Sequence, residues 1–520
     1  MAMVQDVAGY LCLPLAIVFV TLVLHKVVAR NANGHGSGHE LVLPPGPWRL
    51  PIIGNLHQIM IHGPLVYRTM ASMARRLDAP LMSLKLGEVP VVVATTADAA
   101  REITKTHDIK FCTRPWSSTM RALVSDGPGL VFAPYGTLWR QLRKIAILEL
   151  FSPRRVQSFR RVREDEAGRL VAAVAAAAAR PGEAVNVSER IAVFITDTAV
   201  RMTMGDRFKK RDEFLEGLTE AVRLASGFNL GDLFPSSRLA DFVTGTTRRA
   251  MANHRKNFEL IECALRQHEE RKAAAVDGRD DDEDLIDLLL RIQKEVRFEV
   301  PLTMGHIKSV ILDLFGAGSE TTANSLQWAM SELMKNPTAM LKAQAELRDT
   351  LQGKQIVTED DLAGLKYLKL IIKETLRLHP VVPLLVPREC RETCKVMGYD
   401  IPIGTTILVN VWAIGRDPKY WKDAETFRPE RFEEVNVNFK GTDFEYIPFG
   451  AGRRICPGMG SAEANMELAL ASLLYHFDWE LPGGISLTKM DMVEEMGATA
   501  RRKNDLYLVP TVRVPRSAAP

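Results

Sequence analysis

The amino-acid sequence predicts a mainly α-helical protein with a minor β-sheet region, preceded by an N-terminal transmembrane anchor helix. Three observations predict this fold class. Thr303–Lys335 reads as one helix, which at 1.5 Å per residue would be roughly 50 Å long and would cross a whole domain. Alternating apolar residues, the pattern of strands, are confined mainly to Leu81–Thr96 and Thr393–Val411. Val7–Leu24 is almost wholly apolar, close to the ~20 residues that span a bilayer.

The charges around the apolar N-terminal segment predict a retained anchor. Asp6 precedes the segment and no basic residue does, whereas Lys26 and Arg30 follow it. A cleaved signal peptide would carry its positive charge in front. Basic residues after the span predict that the bulk of the chain lies on the cytoplasmic side.

The chain then divides into a linker and one large domain. Asn31–Gly38 has the Gly, Ser and Asn composition of a flexible linker. Pro44–Pro47 holds three prolines, which fix φ and predict a stiff hinge. We therefore expect an anchor over residues 1–30, a linker and hinge over 31–47, and one large, mostly helical domain over 48–520.

The bulk composition is that of an ordinary globular protein. Of 520 residues, 46% are hydrophobic and 25% are charged, so a large core can form. The net charge of +4 is too small to indicate a nucleic-acid partner. The six cysteines show no framework spacing, which argues against a disulfide-stapled secreted protein.

Local signals place the remaining elements. Gly87-Glu88 separates two apolar alternating runs and predicts a β-hairpin. Leu170–Arg180 is rich in alanine and stops before Pro181-Gly182, as a helix would. Tyr367–His379 is a further helix that ends at Pro380.

The centre of the long predicted helix contains residue types that are unfavourable inside an apolar helix. Gly316 and Gly318 each cost about 1 kcal/mol relative to alanine inside a helix. Glu320 and Thr321 follow them in an otherwise apolar segment. Small residues would leave room for a ligand, a threonine hydroxyl can hold water, and a carboxylate can relay protons. Close helix packing at the glycines explains the same residues, and the pattern alone does not separate the two interpretations.

Cys456 lies in a glycine-flanked loop just ahead of an apolar helical run, Ala462–Tyr475. Backbone N–H groups and a helix N-terminus stabilise a thiolate, and Arg454 adds positive charge nearby. These are the properties that a thiolate ligand of haem iron needs. A buried structural cysteine in a tight turn is the alternative.

The pattern Phe-x-x-Gly-x-Arg-x-Cys-x-Gly over Phe449–Gly458 resembles the haem-binding signature of the cytochrome P450 family. Gly316–Thr322 resembles that family's oxygen-binding helix motif, and Glu374-x-x-Arg377 its buried ion-pair motif. The proline hinge and Phe132–Gly136 are similar to the plant microsomal group. The resemblance covers essentially the whole chain.

The resemblance implies a cytochrome P450 fold, a heme b cofactor (iron protoporphyrin IX) and a role for particular residues. Cys456 would be the metal ligand, and Glu320 with Thr321 would be the acid–alcohol pair that delivers protons to dioxygen. Glu374, Arg377 and Arg431 would form a structural ion network. Without the resemblance, Trp139-x-x-x-Arg143 would be an amphipathic helix with an exposed arginine. With it, the residues that contact the haem propionates would be Trp139, Arg143, Arg388, Arg454 and, with weaker support, Arg114.

The function implied is that of a monooxygenase in the endoplasmic reticulum membrane, single-pass, with its catalytic domain in the cytosol. It would insert one oxygen atom from O₂ into a small lipophilic molecule. Electrons would come from NADPH through a separate NADPH–cytochrome P450 reductase, with cytochrome b5 as a further candidate donor, because no dinucleotide-binding fingerprint is evident.

Two other functions use the same haem fold. An isomerase or dehydratase would act on a peroxide without O₂, and the intact Glu320-Thr321 pair argues against it. A non-catalytic haem or small-molecule binder would not need that pair. Apolar residues in the expected substrate-contact segments (Trp116–Pro128, Phe194–Phe234 and Val381–Val386, with Ala498-Thr499) favour a terpenoid substrate, and an indole or other aromatic is the next choice.

Overall fold

A computed structural model of the chain describes residues 41–515, except 181, 206–207, 209, 227–228, 275–282 and 296–298. The predicted anchor over 1–30 and the first part of the linker lie outside these residues. Within the described ranges no helix is both long enough and apolar enough to cross a membrane.

Helices make up most of the described chain, as the sequence predicts. The first half contains α1 Leu56–Ile61, α2 Val66–Arg76, α3 Ala97–Arg101, α4 Ser118–Leu123, α5 Thr137–Ile145, α6 Pro153–Ser158, α7 Arg160–Ala178, α8 Val187–Met204, α9 Arg211–Ala225, α10 Leu230–Leu233, α11 Arg238–Thr244 and α12 Thr246–Ala274. The second half contains α13 Leu285–Glu295, α14 Met304–Lys335, α15 Pro337–Leu351, α16 Lys366–Leu378, α17 Val411–Ile414, α18 Arg431–Glu434 and α19 Met459–His476.

The strands form small sheets. Their bounds are β1 Leu81–Leu86, β2 Val89–Ala94, β3 Val185–Asn186, β4 Arg388–Glu389, β5 Cys394–Val396, β6 Tyr399–Ile401, β7 Thr406–Val409, β8 Phe477–Glu480, β9 Glu494–Met496, β10 Ala500–Arg502 and β11 Tyr507–Val512. The largest sheet has the order β1-β2-β7-β4, with β2 and β7 parallel. The predicted hairpin is confirmed as the antiparallel pair β1–β2, in which Leu86 faces Val89 across the turn.

The long helix α14 begins and ends as its sequence predicts. The Thr303 hydroxyl accepts a hydrogen bond from the His306 backbone N–H at 3.2 Å, and the His306 ring accepts one from the Thr303 N–H. Such a reciprocal cap satisfies two N–H groups that would otherwise lack partners. Asn336 ends the helix, and Pro337 starts α15 at a position where its missing N–H costs nothing.

The largest hydrophobic core surrounds the second half of α14. Buried residues of α7, α8, α15, α16 and α19 pack there against Leu326, Met330 and Leu333. A second core, which includes Phe214 and Phe315, covers the first half of α14. The helix is therefore held along its length, and its middle is a fixed platform for the site.

A buried ion network joins α16 to the segment before α18. Both carboxylate oxygens of Glu374 accept hydrogen bonds from Arg377, at 2.7 and 2.8 Å, and one of them also accepts from Arg431 at 2.9 Å. The side chains of Glu374 and Arg377 have no exposed surface, and that of Arg431 is 2% exposed. The remaining N–H groups of the two arginines donate to backbone carbonyls, including those of Gly415 and Lys422.

Candidate active site

The loop before α19 places Cys456. A one-turn helix, Gly452–Arg454, turns the chain, and the Cys456 N–H donates to the Phe449 carbonyl at 3.0 Å. Gly452 has φ +69°, and a Cβ there would lie 2.0 Å from the Thr104 carbonyl oxygen. No other residue fits this position, so the glycine allows the loop to pack closely beside the chain near Asp108.

The surroundings of Cys456 act on its thiol in opposite directions. Burial raises the pKa of Cys456, whereas the Gly458 backbone N–H and the positive charge of Arg143 lower it. The residue is only partly buried, while Cys112, Cys390 and Cys394 are buried. The thiol thus has two groups that stabilise its charged form, as a metal-binding thiolate requires.

The middle of α14 borders open space. Ala317 and Gly318 are exposed, although Phe315 before them and Thr322 after them are buried. A Cβ built on Gly318 would have no atom within 4 Å, whereas one on Gly316 would touch α9 side chains at 3.6 Å. The two glycines therefore differ. Gly316 allows close packing against a neighbouring helix, and Gly318 leaves room for a ligand.

Thr321 follows Gly318 by three positions and so shares its face of α14, and the polar side chains of Thr321 and of its neighbour Glu320 are both engaged. The Thr321 hydroxyl donates to the Ala317 carbonyl, one turn earlier, at 2.7 Å. Oε1 of Glu320 accepts a hydrogen bond from the Thr499 hydroxyl at 2.5 Å. No local pattern signals the Glu320–Thr499 contact, because the two residues are 179 positions apart, and the sequence predicts Thr499 only as a substrate contact.

Arg454 and Trp139 lie together. The Arg454 guanidinium stacks over the Trp139 ring with 4.3 Å to the ring centroid. Its N–H groups donate to backbone carbonyls, at 2.7 Å to Cys112 and 2.6 Å to Ala133. The Trp139 indole N–H donates to the Leu130 carbonyl at 3.2 Å. Both side chains thus help to fix the loop around residues 130–133.

Arg388 and Arg114 are buried near Arg454. Arg388 donates to Asp108 at 2.8 Å and to the Ala451 carbonyl at 2.6 Å. Arg114 donates to the backbone carbonyls of Val131, Val386 and Pro387. Burial, together with repulsion from Arg454 and Arg388, lowers the pKa of Arg114. Burial and the neighbouring arginines lower the pKa of Arg454 to about 9.

Arg143 is the predicted site arginine with its charge least engaged. No hydrogen bond or ion pair links its side chain to any residue in the described part of the chain, and burial lowers its pKa. Within the described residues, only one of the four predicted arginines, Arg388, pairs with a carboxylate. That carboxylate belongs to Asp108, which also pairs with Arg453. The cluster carries more positive than negative charge, so it is suited to bind an anion.

Asp313, which sequence reasoning missed, ties α14 to the loop at residues 129–133. Its Oδ2 accepts a hydrogen bond from the Val131 N–H at 2.9 Å. A Cβ on Gly129 would lie 2.2 Å from the same oxygen, so only glycine allows the loop so close to the helix. Burial raises the pKa of Asp313 to about 7, against the pull of its backbone donors.

This pKa predicts how stability depends on pH. Because the folded-state pKa is higher than the ordinary value of about 3.9, the unfolded chain loses its proton first as pH rises. The contribution of Asp313 to the free energy of unfolding therefore falls between about pH 4 and pH 7, by about 4 kcal/mol in total, and is level above. We expect Asp313→Asn to lose less stability than the wild type between pH 5 and pH 8 in denaturant titrations. An equal loss in both proteins would contradict this.

The similarity of this chain to known proteins identifies its family. The sequence model of the family described as Cytochrome P450 matches residues 44–507. The chain belongs to the cytochrome P450 family. The predicted resemblance is confirmed, and with it the mainly helical P450 fold, the monooxygenase class and the haem cofactor.

Relatives in Zea mays share almost half of this P450's residues. Zealexin A1 synthase is 48% identical over 479 residues, which cover 91% of this chain and 94% of its own. Dolabradiene monooxygenase is 47% identical over 503 residues, which cover 96% of this chain and 98% of its own. Among solved structures, a zebra fish cytochrome P450 with abiraterone matches with a TM-score of 0.71 at 23% identity, over 87% of this chain and 100% of its own.

The residues of this P450 fit a haem. A haem carries two propionate anions, and the arginine cluster has uncompensated positive charge. A thiolate ligand needs groups that stabilise its negative charge, and the Gly458 N–H and Arg143 do so at Cys456. A flat macrocycle needs open space beside a backbone, and Gly318 has it. These three features belong to different elements of the fold, and each suits a haem.

Proposed function

We propose that this P450 oxidises a terpenoid in the endoplasmic reticulum membrane by inserting one oxygen atom from O₂. The observation that carries the proposal is the exposed centre of α14, where Gly318 has open space beside it, Thr321 lies one turn further on the same face, and Glu320 is the next residue in the chain. A lipophilic substrate, dioxygen and a proton source could all meet at this point.

Cys456 would hold the haem iron through its sulfur. The Gly458 N–H and the Arg143 charge favour the thiolate, and an iron cation would offset the cost of burying it. When bound, a thiolate-ligated haem supplies the activation of dioxygen. Arg143, Arg388, Arg454 and Arg114 would bind or neutralise the propionates, with Trp139 packed beneath Arg454.

Glu320 and Thr321 would supply protons. Thr321 Oγ1 lies on the exposed side of α14 and can donate a hydrogen bond toward the open space once it leaves the Ala317 carbonyl. Glu320 is the carboxylate next to it and can take a proton from solvent and pass it on through its oxygens. Holding both groups on a rigid helix keeps the proton source at a fixed distance from the reacting atoms.

The proposed monooxygenase reaction also implies redox partners and a membrane location for this protein. Electrons would come from NADPH through a separate reductase, with cytochrome b5 as a second donor. Residues 1–30 would anchor the chain in the endoplasmic reticulum membrane, and 31–47 would form the linker and hinge. The catalytic domain over 48–520 would face the cytosol.

A terpenoid is favoured as substrate. A Zea mays relative that is 47% identical to this chain is named dolabradiene monooxygenase, that is, for the oxidation of a diene. A hydrocarbon offers no polar group, so its binding would depend on the shape and apolarity of the pocket. Indole is the runner-up among small lipophilic substrates.

Isotope labelling tests the proposal. Membranes that contain the full-length protein and a reductase would receive NADPH, ¹⁸O₂ and either indole or a panel of cyclic terpene hydrocarbons that includes dolabradiene. We expect a terpene product that has gained one ¹⁸O atom, and none when NADPH is omitted. Oxidation of indole alone would overturn the terpenoid assignment. Turnover of an added organic peroxide without O₂ or NADPH, and no other reaction, would favour an isomerase.

A further inference from the structure

The hairpin of β9 and β10 lies along one face of α14. Arg502 donates to the Ser331 hydroxyl at 2.9 Å, and Asn324 donates to the Thr499 hydroxyl at 3.0 Å. Residues 320, 324 and 331 of α14 recur at intervals of one or two turns, so they share a face. The tip of the hairpin therefore reaches the centre of α14, and there it meets Glu320.

The hydrogen bonds around the Thr499 hydroxyl have a defined direction. A hydroxyl carries one hydrogen, and the amide nitrogen of Asn324 can only donate. The Thr499 oxygen accepts from Asn324, and its hydrogen is directed at Glu320 Oε1, 2.5 Å away. A hydrogen bond to an ionised acceptor is about twice as strong as one between neutral groups.

Thr499 is held in this position from several sides. Its side chain is buried, at 4% exposed, and Asn324 is 6% exposed. The Gly497 N–H donates to the Thr499 carbonyl at 2.9 Å, and the Ala500 N–H donates to the Val381 carbonyl at 2.8 Å. The only hydrogen of the Thr499 hydroxyl is thus committed to Glu320 inside the protein, so this hydroxyl has none left to donate to a substrate.

We propose that Thr499 is a positioning residue, whose hydroxyl, backed by Asn324, holds the Glu320 carboxylate in place for proton delivery. This inference rests on the proposed role of Glu320. A substrate contact at Thr499, as its sequence position suggests, would be made through its methyl group. A positioning contact is made through its hydroxyl. Thr499→Val keeps the methyl group and removes the hydroxyl, whereas Thr499→Ser keeps the hydroxyl and removes the methyl group.

The first measurement is the amount of hydrogen peroxide released per NADPH oxidised, in membranes with the full-length haem-loaded protein and a reductase and without added substrate. Two electrons from NADPH and two protons reduce O₂ to hydrogen peroxide, which is released when the further protons needed to cleave the O–O bond are not delivered in place. We expect Thr499→Val to raise the peroxide fraction at least twofold and Thr499→Ser to match the wild type. The reverse order, with valine normal and serine altered, would overturn the proposal.

Ser331→Ala is the matched control. It removes a contact of the same hairpin with the same face of α14, but about three turns away from Glu320. If loosening of the hairpin were the cause, this variant would raise the peroxide fraction as much as Thr499→Val does. We expect it to stay at the wild-type value.

A second measurement needs no turnover. The apparent unfolding midpoints of Glu320→Met, Thr499→Val and the double variant form a double-mutant cycle. If the two side chains are bonded, the midpoint shift of the double variant will be smaller than the sum of the single shifts. Additive shifts would overturn the positioning role. A normal peroxide fraction in Glu320→Met would instead overturn the proposed role of Glu320, whatever Thr499→Val does.

Discussion

Cys456→Ala is expected to abolish the red-shifted Soret band of the carbon-monoxide complex and all monooxygenase activity. The band arises from a thiolate bound to haem iron, and in the described part of the chain no other cysteine combines a partly buried position with a glycine loop and an adjacent arginine. The measurement is the carbon-monoxide difference spectrum of dithionite-reduced membranes. Without the Cys456 sulfur, the haem iron would lose its proposed protein ligand.

Cys263→Ala serves as the control for this experiment. Cys263 is also only partly buried, but it lies on α12, away from the Cys456 loop. Its replacement should leave the band and its intensity unchanged. A persistent red-shifted band in folded Cys456→Ala would mean that another group binds the iron, and the proposed mechanism would then be wrong.

Glu374→Ala is expected to cost about 3–5 kcal/mol in the free energy of unfolding, because it removes the one carboxylate that two buried arginines share. Arg377 and Arg431 would keep their backbone carbonyl partners but lose their counter-charge. A domain has only about 5–15 kcal/mol of stability in total, so little folded, haem-loaded protein should remain. Chemical denaturation and the yield of haem protein both measure the effect.

Glu434→Ala is the matched surface control. Glu434 pairs with Arg428 at 3.1 Å, and its side chain is 62% exposed. Ion pairs of this kind contribute about 0–1 kcal/mol, so the variant should fold almost as well as the wild type. Equal losses in Glu374→Ala and Glu434→Ala would show that burial of the network does not contribute to stability.

The sequence predicted well those features that depend on neighbours in the chain. The long helix and its end before Pro337 depend on local sequence, and the structure reproduces the predicted range. The β1–β2 hairpin likewise depends on one turn. The contact of Thr499 with Glu320 and that of Asp313 with Val131 join residues 179 or more positions apart, and no periodicity within one segment encodes them.

The arginines show a second limit of sequence reasoning. The family resemblance implied that these arginines act together, and in the structure Arg388 and Arg454 lower the pKa of Arg114, while Arg388 also lowers that of Arg454. It does not follow from residue type that Arg454 and Arg114 donate to backbone carbonyls of the loop at 130–133. Those bonds depend on the path of the loop, which Asp313 and Gly129 set from the other side.

The surplus of buried positive charge links the folding of this protein to its cellular haem supply. Binding of a cofactor to the folded state alone adds RT ln(1 + [L]/Kd) to stability, and here it would also relieve repulsion among the arginines. A newly made chain without haem would spend more time partly unfolded, where chaperones and proteases act on it. The steady-state abundance of the enzyme would therefore follow porphyrin biosynthesis as well as transcription of its gene.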